Sequence, residues 1–332
     1  MTAEKISDLY IDEISAAVQL LRSGAGKQAQ KMPTILHFSD IHNSQHELER
    51  IIRFADECQW LITDLLHTGD SVARRFMDGI PAFSLPGAQR ILNIVGNHDA
   101  LSAESGYDWS NRASNEALYN MIFKPFSDVW GVQMEENTTY WYKDYESYGF
   151  RLIGIDSTLW DNSSQMLWLD SVLSSARELG FCVVIATHYP PNNRVKISCG
   201  FTSVVNDYPG KGKSCINEQL QEIVQRFIEA GGEFVCYLSG HTHTDYLWYN
   251  KNFPQQLCVT IDSASVSHSN HWGDTYRVKG TKSEDLFNLF SFDLQQKMIK
   301  IVRIGANVNS AMQRKSMILV NYKTMKVCQP GF

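Results

Sequence analysis

The sequence predicts an α/β protein built around parallel strands, on two observations. Five short apolar runs, several rich in β-branched residues, end abruptly in polar residues. Amphipathic stretches at helical spacing fall between them, at 45–60, 165–179 and 216–230. Runs of that length read as buried strands. Strand–helix alternation implies βαβ units, whose ligands bind beyond the carboxyl ends of the strands.

In chain order, residues 3–22 place Ile6, Leu9, Tyr10, Ile14, Ala17, Val18 and Leu21 on one helical face. Ser23 to Lys27, with two glycines, reads as a stop and linker. The apolar runs then follow. Thr34–Phe38 leads into Ser39-Asp40-Ile41-His42, and Asp64–Thr68 into Gly69-Asp70. Ile91–Val95 leads into Gly96-Asn97-His98-Asp99, and Val183–Thr187 into His188. Phe234–Ser239 leads into Gly240-His241-Thr242-His243. Residues 103–148, rich in Tyr, Trp, Asn and Asp, read as an insertion or cap, and 192–215 as a long loop over one rim. Residues 287–292 and 298–303 read as two strands joined by a hairpin turn at 293–297.

Composition narrows the function. The formal charge of -6 argues against a general nucleic-acid coat, which needs a basic surface, while leaving a small nucleotide substrate open. No run reaches the roughly 18–20 apolar residues of a membrane span, and the first residues lack a basic start followed by an apolar block. The seven cysteines contain no CxxC, and Cys182, Cys236 and Cys258 sit inside apolar runs as buried thiols. These features point to a reduced, cytoplasmic protein without a membrane partner.

The strand ends collect oxygen and imidazole donors: Asp40, His42, Asp70, Asn97, His188, His241 and His243. No thiolate is among them, which suits Mn, Fe, Zn, Ni or Co. Seven donors exceed one tetrahedral site and match two neighbouring ions. Two cations about 3.5–4 Å apart need a bridging carboxylate, and Asp70, alone after its strand, is the natural bridge. Taken singly, each segment is weak evidence; an Asp-x-His or a Gly-Asp after a strand is commonly just a loop. All five in this order, each closing an apolar run, are hard to produce by chance.

This ordered set, D-x-H, G-D, G-N-H-D, H and G-H-x-H, resembles the signature of the calcineurin-like metallophosphoesterase superfamily, from Asp40 to His243. The resemblance implies two mixed β-sheets packed as a sandwich with flanking helices, a four-layer fold with insertions. It divides the chain into an N-terminal helix and linker (1–31), a metallophosphoesterase domain (32–304, insertion about 103–148) and a C-terminal extension (305–332). It implies two divalent ions, one held by Asp40, His42 and His243, the other by Asn97, His188 and His241, with Asp70 between. A hydroxide held by the ions would attack phosphorus in a small phosphate-ester substrate, a monoester or a diester. His98 would protonate the leaving oxygen or stabilise charge there, and Asp99 would orient His98. Many relatives carry a second Asp three residues after the bridging one; Ala73 stands there, and argues against the purple acid phosphatases, which need Tyr. Two alternatives share these residues: a nuclease on the same fold, and a scaffold with a vestigial metal site that binds a protein partner.

Other residues near the strand ends have less distinctive readings. Asp156 and Ser157 read as structural caps, and Tyr140, Trp141 and Tyr142 as packing within the insertion rather than a base-stacking platform. Arg74 and Arg75 are either phosphate contacts or a solvated helix start. His268 to Trp272 form either a pocket rim or, the preferred reading, a surface loop.

Overall fold

A computed structural model of the chain describes residues 5–22, 33–72, 85–101, 112–159, 163–191, 194–197, 202–204, 218–272, 277–306 and 317–328. Ala73, Arg74, Arg75, Cys199, Cys215, the linker at 23–27 and much of 192–215 lie outside the described residues.

Two mixed sheets carry the fold. The first contains β1 (Ile35–Phe38), β2 (Asp64–His67), β3 (Ile91–Asn93), β12 (Leu286–Asp293), β13 (Met298–Gly305), β14 (Met317–Asn321) and β15 (Lys326–Cys328). Its order is β15-β14-β13-β12-β1-β2-β3. The second contains β4 (Trp141–Tyr145), β5 (Phe150–Gly154), β6 (Cys182–Ala186), β7 (Arg194–Ile197), β8 (Thr202–Val204), β9 (Glu233–Ser239), β10 (Leu247–Asn250) and β11 (Phe253–Thr260). Its order is β4-β5-β6-β9-β11-β10-β7-β8. β1, β2 and β3 run parallel, as do β5, β6, β9 and β11. The binding ends of both parallel sets therefore carry the polar segments that follow the strands.

One apolar core joins the sheets. Ile35, Phe290, Ile301 and Phe292 of the first pack with Phe150, Leu152, Val184 and Leu238 of the second, and Phe150 stacks on Phe292 at 5.3 Å. The outer face of the second sheet buries Ile153, Val183, Ile185 and Phe234 under α3 (Ser163–Glu178) and α4 (Glu218–Glu229). The first sheet is covered by α1 (Ile11–Arg22), on β12 and β13, and by α2 (Gln45–Glu57), through Phe54 on Phe287 at 4.9 Å. Strand side chains alternate between the two cores. The exception is instructive: a register shift between Val183 and Val184 pairs Val183 with Phe234 but Val184 with Cys236. The bulge turns Val235 and Cys236 into the same inter-sheet core.

The amphipathic start departs from one continuous helix. Ile6–Tyr10 is a tighter 3-10 turn, and α1 begins at Ile11. The Glu57 carboxylate accepts the N–H groups of Ile6 and Ser7, satisfying donors that a helix start leaves open. The expected hairpin is present, with β12 and β13 paired from Leu286↔Gly305 to Asp293↔Met298. Within 192–215, β7 and β8 form a short antiparallel pair that extends the second sheet. Cys58, Cys182, Cys236 and Cys258 are buried thiols outside any disulfide. Among the described residues, no helix is long and apolar enough to cross a membrane.

Candidate metal centre

The site forms where the strand ends of both sheets meet. Asp40 and His42 follow β1, Asp70 follows β2, Asn97 to Asp99 follow β3, His188 follows β6, and His241 and His243 follow β9. Backbone bonds continue the sheet past the strands: Asp40 N–H donates to Gly69 O at 2.9 Å and His42 N–H to Asp70 O at 3.0 Å. Turning side chains inward has a conformational cost. Asp40, His42, Asp70, His241 and His243 all adopt left-handed backbone angles, with φ between 47° and 66°. Each such non-glycine residue costs on the order of 1 kcal/mol or more. The motif glycines permit the approach. A Cβ on Gly96 would lie 2.2 Å from Asp70 N, and one on Gly240 would lie 1.9 Å from Ser39 Oγ and 2.4 Å from Asp40 Oδ2.

The donor atoms converge in overlapping groups: Asp40, His42 and His243; His42, Asp70 and His98; and Asp70, His188 and His241. His188 Nδ1 donates to Thr68 O at 2.8 Å, and His42 Nδ1 faces Val72 O at 3.3 Å. A carbonyl only accepts, so those contacts leave Nε2 of each neutral ring as a lone pair. The His188 lone pair then meets Asn97 Oδ1 at 2.9 Å and Asp70 Oδ2 at 3.3 Å. The His42 Nε2 lies 3.2 Å from His243 Nε2 and 3.7 Å from Asp40 Oδ1. Around His188 acceptors thus face acceptors, and a proton or a cation must sit between them. The donor set fits metal ions by this test.

The electrostatics agree. Burial depresses His42 and His241 to about 3, so both rings are neutral and ready to coordinate. Burial would also depress His188, but the Asp70 carboxylate and the Thr68 carbonyl hold it up at about 9. Asp40 and Asp70 stay well below the usual carboxylate range: burial opposes this, and the imidazoles of His243 and His188 respectively outweigh it. In the metal-free protein His188 therefore holds a proton where an ion would sit. Loading Mn or Zn at pH 7 should release about one proton from this ring. Affinity should fall as the pH drops below about 9, by about tenfold per unit for that proton, and level off above it. An indicator dye in weak buffer reads the release; metal uptake with no proton release at pH 7 would contradict the assignment.

The sequence profile of the calcineurin-like phosphoesterases matches residues 33–245. The chain belongs to this family. A solved dimetal phosphatase from Danio rerio has the same fold, with a TM-score of 0.53 at 12% identity over 88% of this chain and 99% of that one. TT1561 of Thermus thermophilus aligns over the same shares at 10% identity and a TM-score of 0.41. No curated protein matches the chain. Family membership makes the protein a metal-dependent phosphoric ester hydrolase, and its donor groups provide for two divalent ions.

In this phosphoesterase the expected donors come together, and two neighbouring residues differ from their sequence readings. Asp99 spends its carboxylate on backbone amides. Oδ1 accepts from the N–H groups of Ser71 (2.8 Å) and Val72 (3.2 Å), and Oδ2 from Asp70 (2.8 Å) and Gly96 (2.9 Å). It locks the loops after β2 and β3 together. Burial and the nearby Asp70 charge raise it to about 6, while those amides pull the other way. His98 is instead placed by Asp70, whose Oδ1 accepts the His98 N–H at 2.8 Å. Its Nε2 lies 3.9 Å from Asp70 Oδ2, and its ring stands edge-on to His42 at 4.9 Å.

The second difference is His268. It sits not on a surface loop but on α5 (Val266–Trp272), stacked on His42 at 4.0 Å and 21°. Asp156 and Ser157 are structural, as expected. Asp156 accepts from Arg112, Thr139 and Thr158, and Ser157 Oγ accepts from the N–H of Tyr189, next to His188. Trp141 is fully buried with its Nε1 on Asn93 O, and Tyr140 and Tyr142 pack on Trp168.

Proposed function

We propose that this phosphoesterase hydrolyses phosphate esters with Asp40, His42 and His243 holding one ion and Asn97, His188 and His241 the other. Asp70 is shared between them, and His98 protonates the departing oxygen. The observation that carries the reading is the place of Asp70: its carboxylate belongs to one donor group with His188 and His241 and to another with His42 and His98.

Two bound ions would polarise the phosphoryl oxygens and make water acidic enough to attack at neutral pH. The chain's own residues do the rest. Neutral His42 and His241 offer lone pairs without losing a proton. Thr68 O and Val72 O fix the orientation of His188 and His42 through their outer nitrogens. Asp99 holds Asp70 in register with β3. When the bond from phosphorus to the ester oxygen breaks, the electron pair leaves on that oxygen. His98, half-buried at the mouth, supplies the proton that neutralises it.

Metal-stripped protein reloaded with Mn, Fe, Zn, Ni or Co should bind two ions per chain by elemental analysis. It should then cleave aryl phosphate monoesters or diesters. A reproducible content of one ion, or no turnover of any ester with any metal, would overturn this reading. Cleavage confined to single-stranded DNA would replace it with the nuclease.

A further inference from the structure

Five of the strands whose carboxyl ends meet here carry metal donors. A sixth, β11, runs parallel to β9, with Cys258↔Tyr237 and Thr260↔Ser239 in register. Its end therefore opens on the same rim as His241 and His243, and it leads into α5 and His268.

That segment is tied to the loop bearing Asp40 and His42. Ala264 N–H donates to Ser39 O at 2.8 Å, and Ser263 Oγ to Asp40 O at 2.6 Å. Ser265 Oγ meets Ser44 Oγ at 2.8 Å. The buried Arg277 guanidinium donates to Ser263 O and Ala264 O, and Ser269 Oγ on α5 donates to Asp262. His268 is therefore carried in fixed register with His42, a degree of preorganisation that surface packing alone does not call for.

Geometry separates His268 from the metal-holding residues. Its ring stacks on His42, with centroids 4.0 Å apart and planes 21° from parallel. It belongs to none of the donor groups. Asp40, His42, Asp70, His188 and His243 are buried, whereas Asn97, His98, His241 and His268 are half-buried; the His98 ring stands nearly perpendicular to His42 and the His268 ring stacks on it. Ser265 Oγ lies 3.3 Å from His268 Nδ1. Among the described residues Nε2 has no protein partner, which leaves it for a ligand.

We propose that His268 is a substrate contact, donating from its ring to a phosphoryl oxygen held at this centre. This rests on the two-ion reading above. The test uses metal-loaded protein with inorganic phosphate as the probe, its affinity measured by calorimetry, together with KM and kcat for an aryl phosphate. His268→Phe keeps a flat ring on His42 and removes the donor; His268→Gln keeps a donor and removes the ring. The Phe variant should retain two ions per chain and weaken phosphate binding about ten- to a hundredfold, with KM rising in step, as loss of a hydrogen bond to a charged group implies. The Gln variant should recover part of that loss. Wild-type phosphate affinity and KM in the Phe variant would reduce His268 to packing on His42. Loss of metal in step with phosphate would make it a support for the metal-holding residues instead. An unmodified protein that neither binds phosphate nor cleaves an ester would overturn the underlying reading and this inference with it, a result visible before any variant is made.

Discussion

Asp70→Asn should empty both metal positions and remove nearly all turnover, a larger loss than from any terminal donor. The change is isosteric, so packing is kept while the charge goes. Asp70 is wholly buried and stands among imidazoles from four loops, with His188 Nε2 at 3.3 Å and His98 Nε2 at 3.9 Å from Oδ2. Removing one member of a buried charge set costs ~3–5 kcal/mol, or about 10²–10⁴-fold in affinity, because the remaining charges are left uncompensated. His241→Ala, by contrast, should reduce the content toward one ion and spare the group around Asp40. A readout without metal separates bridge from bystander. Asp70 holds the His188 imidazole up at about 9 against burial. In the Asn variant burial should prevail, so an NMR titration of the metal-free protein should find His188 below its ordinary value of 6.5. Full metal content with near-normal kcat in Asp70→Asn would show the shared carboxylate to be misassigned.

The residues that converge here were readable because each closes an apolar run. A chain leaving a parallel strand must turn at its carboxyl end, so residues at five such turns become neighbours although Asp40 and His243 are far apart in sequence. The turns themselves left only a faint trace, in the glycines beside the donors; nothing in the order of residues shows that five of the seven donors take left-handed backbone angles. Histidine within a run was no guide. His37 and His67 sit inside β1 and β2, and bond Thr68 and Asn93 in the buried sheet rather than joining the site.

What escaped the sequence depends on contacts between distant segments. Asp99 binds four backbone amides, three of them at residues 70–72, and main-chain donors carry no residue signature. Adjacency to His98 and the family resemblance were the cues available, and neither points to those amides. The 3-10 turn at Ile6–Tyr10 depends on Glu57, fifty residues away. His268 was within reach: Leu257–Ile261 reads as one more apolar strand, and a parallel strand beside β9 must end on the same rim. The seven-residue helix that follows is too short to show a periodic face, so the segment looked like a loop.

His98→Ala should leave both ions in place and lower kcat by about 10²–10⁴-fold, the usual worth of a positioned acid. Metal should survive because Asp70 binds the His98 backbone N–H, a contact that alanine keeps. The ring itself stands against His42 and reaches within 3.9 Å of Asp70 Oδ2, at the edge of the donor set. The leaving group decides what the ring does there. An alkyl alcohol departs as a strongly basic alkoxide and needs the proton while the bond breaks. A nitrophenolate is stable as an anion and needs little help. The variant should therefore lose most of its rate on an alkyl phosphate and much less on a nitrophenyl phosphate, compared at saturating metal. Equal losses on both substrates would assign His98 to charge stabilisation rather than proton transfer. Ion content falling in proportion to rate would place the ring among the ligands, since only a residue that holds metal can lose both together.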